Sequence, residues 1–184
     1  MGLLNQINDQ EVVLPAIQRD FVWTEVQTAK LLNSIMRGYR VGIVLLWETY
    51  NDIQYRRFVG DFRAGTLHTY DDNEERRRIR LVLDDQQRLQ SLYMALRGQR
   101  EGRELYLDIL SGQESDDVAD DRFRFEFMTR EAAAERNKRS VRAVVPSKER
   151  EETPDWWISV RDLSSAWLRG RSGTMRKRLR SGFS

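Results

Sequence analysis

The sequence predicts a mixed α/β (α+β) domain, and three observations carry that prediction. Short apolar runs of strand length, "VGIVLLWE" and "IRLVLD", stand next to segments with helical spacing. The helical segments are "TEVQTAKLLNSIMRGYR" and "QQRLQSLYMALRG", each closed by a glycine. Further on, "ELYLDIL" and "FRFEF" alternate apolar and polar residues as hairpin strands do. Helix crossovers and hairpins in one chain give a mixed sheet flanked by helices. At 184 residues the chain can bury a real core, and we read one domain over residues 1–170 with a basic tail or truncation point at 171–184.

Each element has a local reason. "EVVL", residues 11–14, reads as a short strand that Pro15 ends, because proline has no N–H for a ladder. Thr24 and Gln27 form a capping-box pattern, and Val26, Ala29, Leu32, Ile35 and Met36 make one apolar helical face. Gly38 sits where a left-handed C-cap is wanted. The continuous run "VGIVLLWE" predicts a strand buried on both faces, "QYRRFVG" a further strand, and "RAGTLHTYDDNEERRR" a polar excursion. "IRLVLD" predicts a buried strand, followed by a helix carrying Leu89, Leu92, Tyr93 and Leu96 until Gly98. "SGQESDDVADD" reads as an acidic loop, "SVRAVVP" as a last strand, and "TPDWWISVRDLSSAWLRG" as an aromatic anchor with a short helix.

Composition excludes several classes of chemistry. No apolar run reaches the roughly 18 residues of a membrane span, and no leader-like segment opens the chain. A cytoplasmic location without a membrane partner is therefore expected. Without cysteine, and with His68 as the sole histidine, neither disulfides nor thiolate or His-rich metal sites are available. The net charge is only +2, but Arg76, Arg77 and Arg78 cluster, as do Arg176, Lys177 and Arg178 near the end. Such clusters either bind DNA phosphates through counterion release or form a solvated face.

Chemistry concentrates at two strand-to-helix junctions. In "LVLDDQQRLQ", Asp84 and Asp85 emerge at the end of a buried strand and a helix starts at once. The free N–H groups of a helix start favour anions, and Arg88 one turn in could fork onto phosphate. Gln86 and Gln87 offer donors and acceptors for a water or a phosphate oxygen. Asp84 suits Mg²⁺ binding or activation of a nucleophile. The plainer alternative is that Asp84 or Asp85 caps the helix and pairs with Arg88. In "LPAIQRDFVW", Gln18 and Arg19 occupy a second such junction. Two Gln–Arg pairs could converge on one polyanion. Alternatively, Arg19 pairs with Asp20 or Asp84; Phe21 and Trp23 are expected in the core in either case.

These two stretches, with the helix and "GYRVGIVLLWE" between them, resemble the N-terminal domain of the GmrSD-type restriction family, whose members read "IPxxQRxYVW", "LLxSIxxGYPIGxILLW" and "DGQQRLTTL". The match runs from about Leu14 to Leu96, with looser similarity in "LYLDI" and "WWISVRDL". The resemblance implies a ParB/sulfiredoxin-like fold and nucleotide binding and hydrolysis, with Mg²⁺ and a nucleoside triphosphate, coupled to cleavage of modified foreign DNA. By position it implies a catalytic set of Asp84, Gln86, Gln87 and Arg88, with Asp84 on the metal. Gln18, Arg19, Arg40, Gly42 and Asp85 would then face nucleotide phosphate.

Two departures from the family pattern stand out. Asp85 replaces its glycine, adding a carboxylate where phosphate would approach, although Asp accepts a left-handed backbone better than most residues. Arg40 replaces its proline and adds a cation. Relatives carry a His-Asn-His nuclease domain, so the resemblance also implies a nuclease domain or partner chain outside this sequence. Two rival readings remain: a non-catalytic ParB-like module that binds DNA or senses its modification, and a scaffold that offers Trp156, Trp157 and Trp167 to a partner.

Overall fold

Strand β1 (Val12–Pro15) is buried along its whole length, and the alternation of its side chains divides the core between two faces of a sheet. Val12 and Leu14 meet Ile7, Phe58, Val82 and Leu89 on one face. Val13 meets Tyr55, Ile79 and Leu81 on the other. The computed structural model describes residues 2–65, 69–112, 122–143 and 155–170. They fall into two compact units, Met1–Gly102 and Arg103–Ser184.

In the first unit α1 (Leu3–Asn8) lays Leu3, Leu4 and Ile7 over the Val12 face. After β1 come α2 (Glu25–Met36), β2 (Leu46–Thr49), β3 (Gln54–Arg56), β4 (Asp61–Phe62), β5 (Tyr70–Asp72), β6 (Ile79–Val82), α3 (Gln86–Arg97) and β7 (Gln99–Arg100). Five of the strands form a mixed sheet in the order β2-β6-β1-β3-β5. Only β1 and β6 run parallel, with Val13 opposite Leu81; the other pairs are antiparallel. Parallel pairing puts the C-terminal ends of β1 and β6 at the same sheet edge. The segments after Pro15 and after Val82 therefore leave the sheet side by side.

Helix ends follow the expected chemistry at α2. Thr24 and Gln27 form the reciprocal capping box. At the other end Gly38 adopts φ +74°, and the N–H groups of Gly38 and Tyr39 donate back to Ile35 and Ser34, as in a Schellman turn. Helix α3 ends at Gly98 for another reason. This glycine lies so close to Gly60 that a Cβ would overlap the Gly60 backbone, in the connection that sets the parallel pair β4–β7.

The sheet corrects several expectations. Residue 15 is the last residue inside β1, and β6 ends at Val82, leaving Leu83 44% exposed. Of "VGIVLLWE" only the end enters a strand; Ile43 and Leu45 precede it and are exposed, and Trp47 is exposed on β2, a sheet edge. On α2 the buried residues are Thr28, Leu31, Leu32 and Asn33, while Val26, Ile35 and Met36 face out. On α3, Gln87, Gln90, Ser91, Met94 and Ala95 join Leu89 inside, and Leu92, Tyr93 and Leu96 are half-buried. Strand β5 also interrupts the expected polar excursion.

The second unit comprises β8 (Glu104–Asp108), β9 (Phe125–Met128), α4 (Arg130–Ala143), β10 (Trp157–Ser159) and α5 (Val160–Gly170). Its strands form an antiparallel sheet in the order β10-β8-β9, packed around Tyr106, Met128, Ala133 and Trp157. Helix α4 overturns the expected strand at "SVRAVVP": Ser140–Ala143 continue a segment rich in Ala, Glu and Arg, all good helix formers. Residues 144–146 lie outside the described residues. Burial would raise the Asp155 pKa. Hydrogen bonds from the Ser140 hydroxyl and Trp157 indole N–H, with Arg124 and Arg136 nearby, instead hold it below the ordinary carboxylate value.

Two predictions follow from this packing. Gly98→Ala should cost more than about 2 kcal/mol in urea unfolding, because backbone must move to admit the methyl group. The stabilisation from Asp155 should be complete above its unfolded-state pKa and fade as pH falls through the depressed folded-state value. Asp155→Asn should therefore flatten the acid limb of the melting temperature against pH.

Candidate functional site

Beyond β1 the chain crosses the sheet edge without pairing to any strand, and residues 18–23 form an irregular strap. Buried backbone polar groups need partners, and here side chains supply them. Arg56, only 2% exposed, donates to the carbonyls of Gln18 at 2.6 Å and Arg19 at 3.1 Å. Its other terminal nitrogen meets the Asp20 carboxylate at 2.7 Å. Gln86 donates to the Arg19 carbonyl at 3.0 Å. Gln87 uses both ends: its Nε2 donates to the Asp20 carbonyl, and its Oε1 accepts the Val22 N–H. Arg100 reaches the Trp23 carbonyl at 2.8 Å and lies 4.8 Å above the Phe62 ring.

The segment leaving β6 makes the opposite wall. The Leu83 carbonyl accepts from Gln18 Nε2 at 3.0 Å, tying the two walls together. Asp84 Oδ1 accepts the Asp85 N–H at 2.8 Å. Asp85 then takes a left-handed conformation, φ 62° and ψ 24°, and no side chain caps the first turn of α3. Between the walls lies a cleft of about 310 Å³ lined by Gln18, Arg19, Leu83, Asp84, Asp85, Gln86 and Gln87.

Several features of this cleft bear on chemistry. The start of α3 presents uncapped amides, an anion-favouring end. Arg19 is exposed at its rim. Gln18 Oε1 and Gln86 Oε1 are buried without a partner, because their amide nitrogens are committed to backbone carbonyls. Such oxygens can only accept, so they suit a water or another donor rather than a phosphate oxygen. A larger cleft of about 700 Å³ beyond the strap is lined by Phe21, Phe58, Phe62 and Tyr70, but its Arg57 is already held by Asp71 at 2.7 Å.

The structure thus brings Gln18, Arg19, Asp84, Asp85, Gln86 and Gln87 to one cleft and places the other sequence-derived candidates elsewhere. Arg88 turns away to pair with Asp85 at 2.6 Å. Gly42, at φ +112°, abuts that pair, and Arg40 is exposed on the same loop. Arg76, Arg77 and Arg78 lie before the start of β6, at the opposite end of the strand from Asp84. Arg77 bonds the Tyr55 hydroxyl and Arg78 pairs with Glu48. Phe21 and Trp23 are half-buried rather than core, because they ride on the strap. Trp157 is core, whereas Trp156 is 37% exposed. His68, Arg176, Lys177, Arg178 and the Trp167 side chain lie outside the described residues.

Sequence reasoning missed Arg56. Its signal was available: consecutive arginines in a strand must point to opposite faces, so one of Arg56 and Arg57 had to be buried and paired. Arg56→Met should lower unfolding stability by about 1–3 kcal/mol, since it orphans the Gln18 carbonyl and leaves the Arg19 carbonyl to Gln86 alone. Asp20→Asn should cost clearly less, because the Asp20 side chain is 67% exposed. Urea titration of both variants checks the order.

The family described as GmrSD restriction endonuclease, N-terminal domain, matches residues 2–176. An uncharacterized protein of Methanocaldococcus jannaschii is 31% identical over 96 residues, covering 52% of this chain and 16% of the length of that relative. No described helix is long and apolar enough to cross a membrane. With a match over nearly its whole length, this chain belongs to the family of GmrSD restriction endonuclease N-terminal domains.

Proposed function

We propose that this domain binds and hydrolyses a nucleoside triphosphate within a restriction system that acts on modified DNA. The observation that carries the reading is the cleft at the start of α3, which gathers the uncapped helix start, Arg19, Asp84, Gln18 and Gln86 in one lining. The amides and Arg19 would hold the polyphosphate, and Gln86 in the cleft lining would position the attacking water. Asp84 would hold Mg²⁺, which neutralises phosphate charge when bound. Among the described residues no three acidic or imidazole groups converge, so the ion would rest on one carboxylate, waters and phosphate oxygens, a coordination usual for Mg²⁺. Gln87, with both ends spent on the strap, would act by positioning.

A second reading, a non-catalytic module that binds DNA or senses its modification, draws support from one feature. Ile17, next in the chain to Gln18 of the cleft lining, is a 96% exposed apolar residue. Purified protein with Mg²⁺ should release phosphate from at least one of ATP, GTP, CTP and UTP. Arg19→Ala and Gln86→Ala should each lower that rate by roughly 10- to 100-fold. Salt-sensitive duplex binding without binding or turnover of any nucleotide would instead establish the second reading.

A further inference from the structure

The Asp85 carboxylate does unusual work for a residue at the start of a helix. An N-cap aspartate ordinarily has an extended backbone and accepts from the first-turn amides. At φ 62° and ψ 24° Asp85 makes no such bond. Both of its oxygens lie 2.6 Å from one terminal nitrogen of Arg88, three residues on. The Asp85 side chain is only 17% exposed, against 40% for Arg88. Gly42 closes the pair from the third side, since a Cβ there would strike both Arg88 and the carboxylate. The left-handed turn thus leaves the helix amides open while its carboxylate holds the nearby guanidinium. It also sets a negative charge in the lining of the cleft.

We propose that Asp85 is a built-in competitor for polyphosphate. The Asp85–Arg88 pair is the closed state of the anion site, and Arg88 joins the site only when Asp85 releases it. Residue 85 therefore sets the affinity of the cleft for phosphate, rather than the shape of the cleft. This rests on the anion-binding reading above. Two effects act in the same direction: the carboxylate repels incoming phosphate, and it satisfies the guanidinium that would otherwise fork onto it. Gly42 permits the closed state by keeping the third side free of a side chain.

The probe is inorganic triphosphate with excess Mg²⁺, titrated calorimetrically. Asp85→Asn and Asp85→Gly both accept a left-handed backbone, so at least one variant should keep the native circular dichroism spectrum. The folded variant should bind roughly five- to tenfold more tightly than the unaltered chain. Arg88→Ala alone should not tighten binding, and adding it to Asp85→Asn should erase the gain. A gain that survives in the double variant overturns the proposal, since charge removal alone would then explain it. Unchanged or weaker binding in the folded Asp85 variant, with Arg19→Ala still abolishing binding, also overturns it but leaves the anion site standing. If neither the unaltered chain nor any Asp85 variant binds triphosphate, the proposal and the anion-site reading fall together.

Discussion

A single buried guanidinium holds the candidate site in place. The strap over residues 18–23 has no strand to pair with, and Arg56 replaces that partner by taking two carbonyls and a carboxylate. Burying a charge is unfavourable unless it is paired and hydrogen-bonded, so the strap and Arg56 need each other. Arg56 stands opposite Leu14 in the sheet, which ties the strap to the β1–β3 register. A slip of one residue would bring Arg57 to this face and leave the strap unsupported. The position of Arg19 at the cleft is in this sense set by strand pairing beneath it.

Helix α3 is both a wall of the site and the clamp on its neighbours. Its buried face is partly polar, and that is stable because each buried amide meets backbone in a matched pair. Gln87 grips Asp20 and Val22, and Gln90 grips Val59 by both its N–H and its carbonyl. Two elements without strand partners of their own are fixed to one helix by amide groups that carry no net charge. The electrostatics of the cleft are therefore left to Arg19, Asp84, Asp85 and the end of the α3 dipole.

Much of this was legible in the sequence because local chemistry and tertiary context agree. The boundaries of α2 follow from Thr24, Gln27 and Gly38, whose side chains or backbone make the caps directly. The strand-to-helix step at Asp84–Gln86 follows from an apolar run meeting a polar cluster. What failed depended on neighbours. An apolar run such as residues 41–48 reads as buried wherever it lies, yet β2 is a sheet edge. The inner face of α3 reads as polar because glutamines do not reveal that backbone awaits them. Helix α4 was hidden behind Val141, Val144 and Val145, which favour strands, although the preceding Ala-rich segment determines the outcome. The convergence of two junctions on one cleft and the pairing of Arg88 with an aspartate could both be posed from sequence, but not that Asp85 would make this pair from a left-handed backbone without capping the helix.

The left-handed turn at position 85 also bears on how this site can change over generations. The residue types that tolerate that backbone most readily are glycine, asparagine and aspartate, and their codons differ from that of aspartate by single bases. Those three side chains are, in turn, absent, neutral and negatively charged. A lineage can therefore step between electrostatic states of the cleft by point mutation, without crossing a misfolded intermediate. The fold constrains which residues may stand there, and within that constraint it leaves the charge free to drift or to be selected.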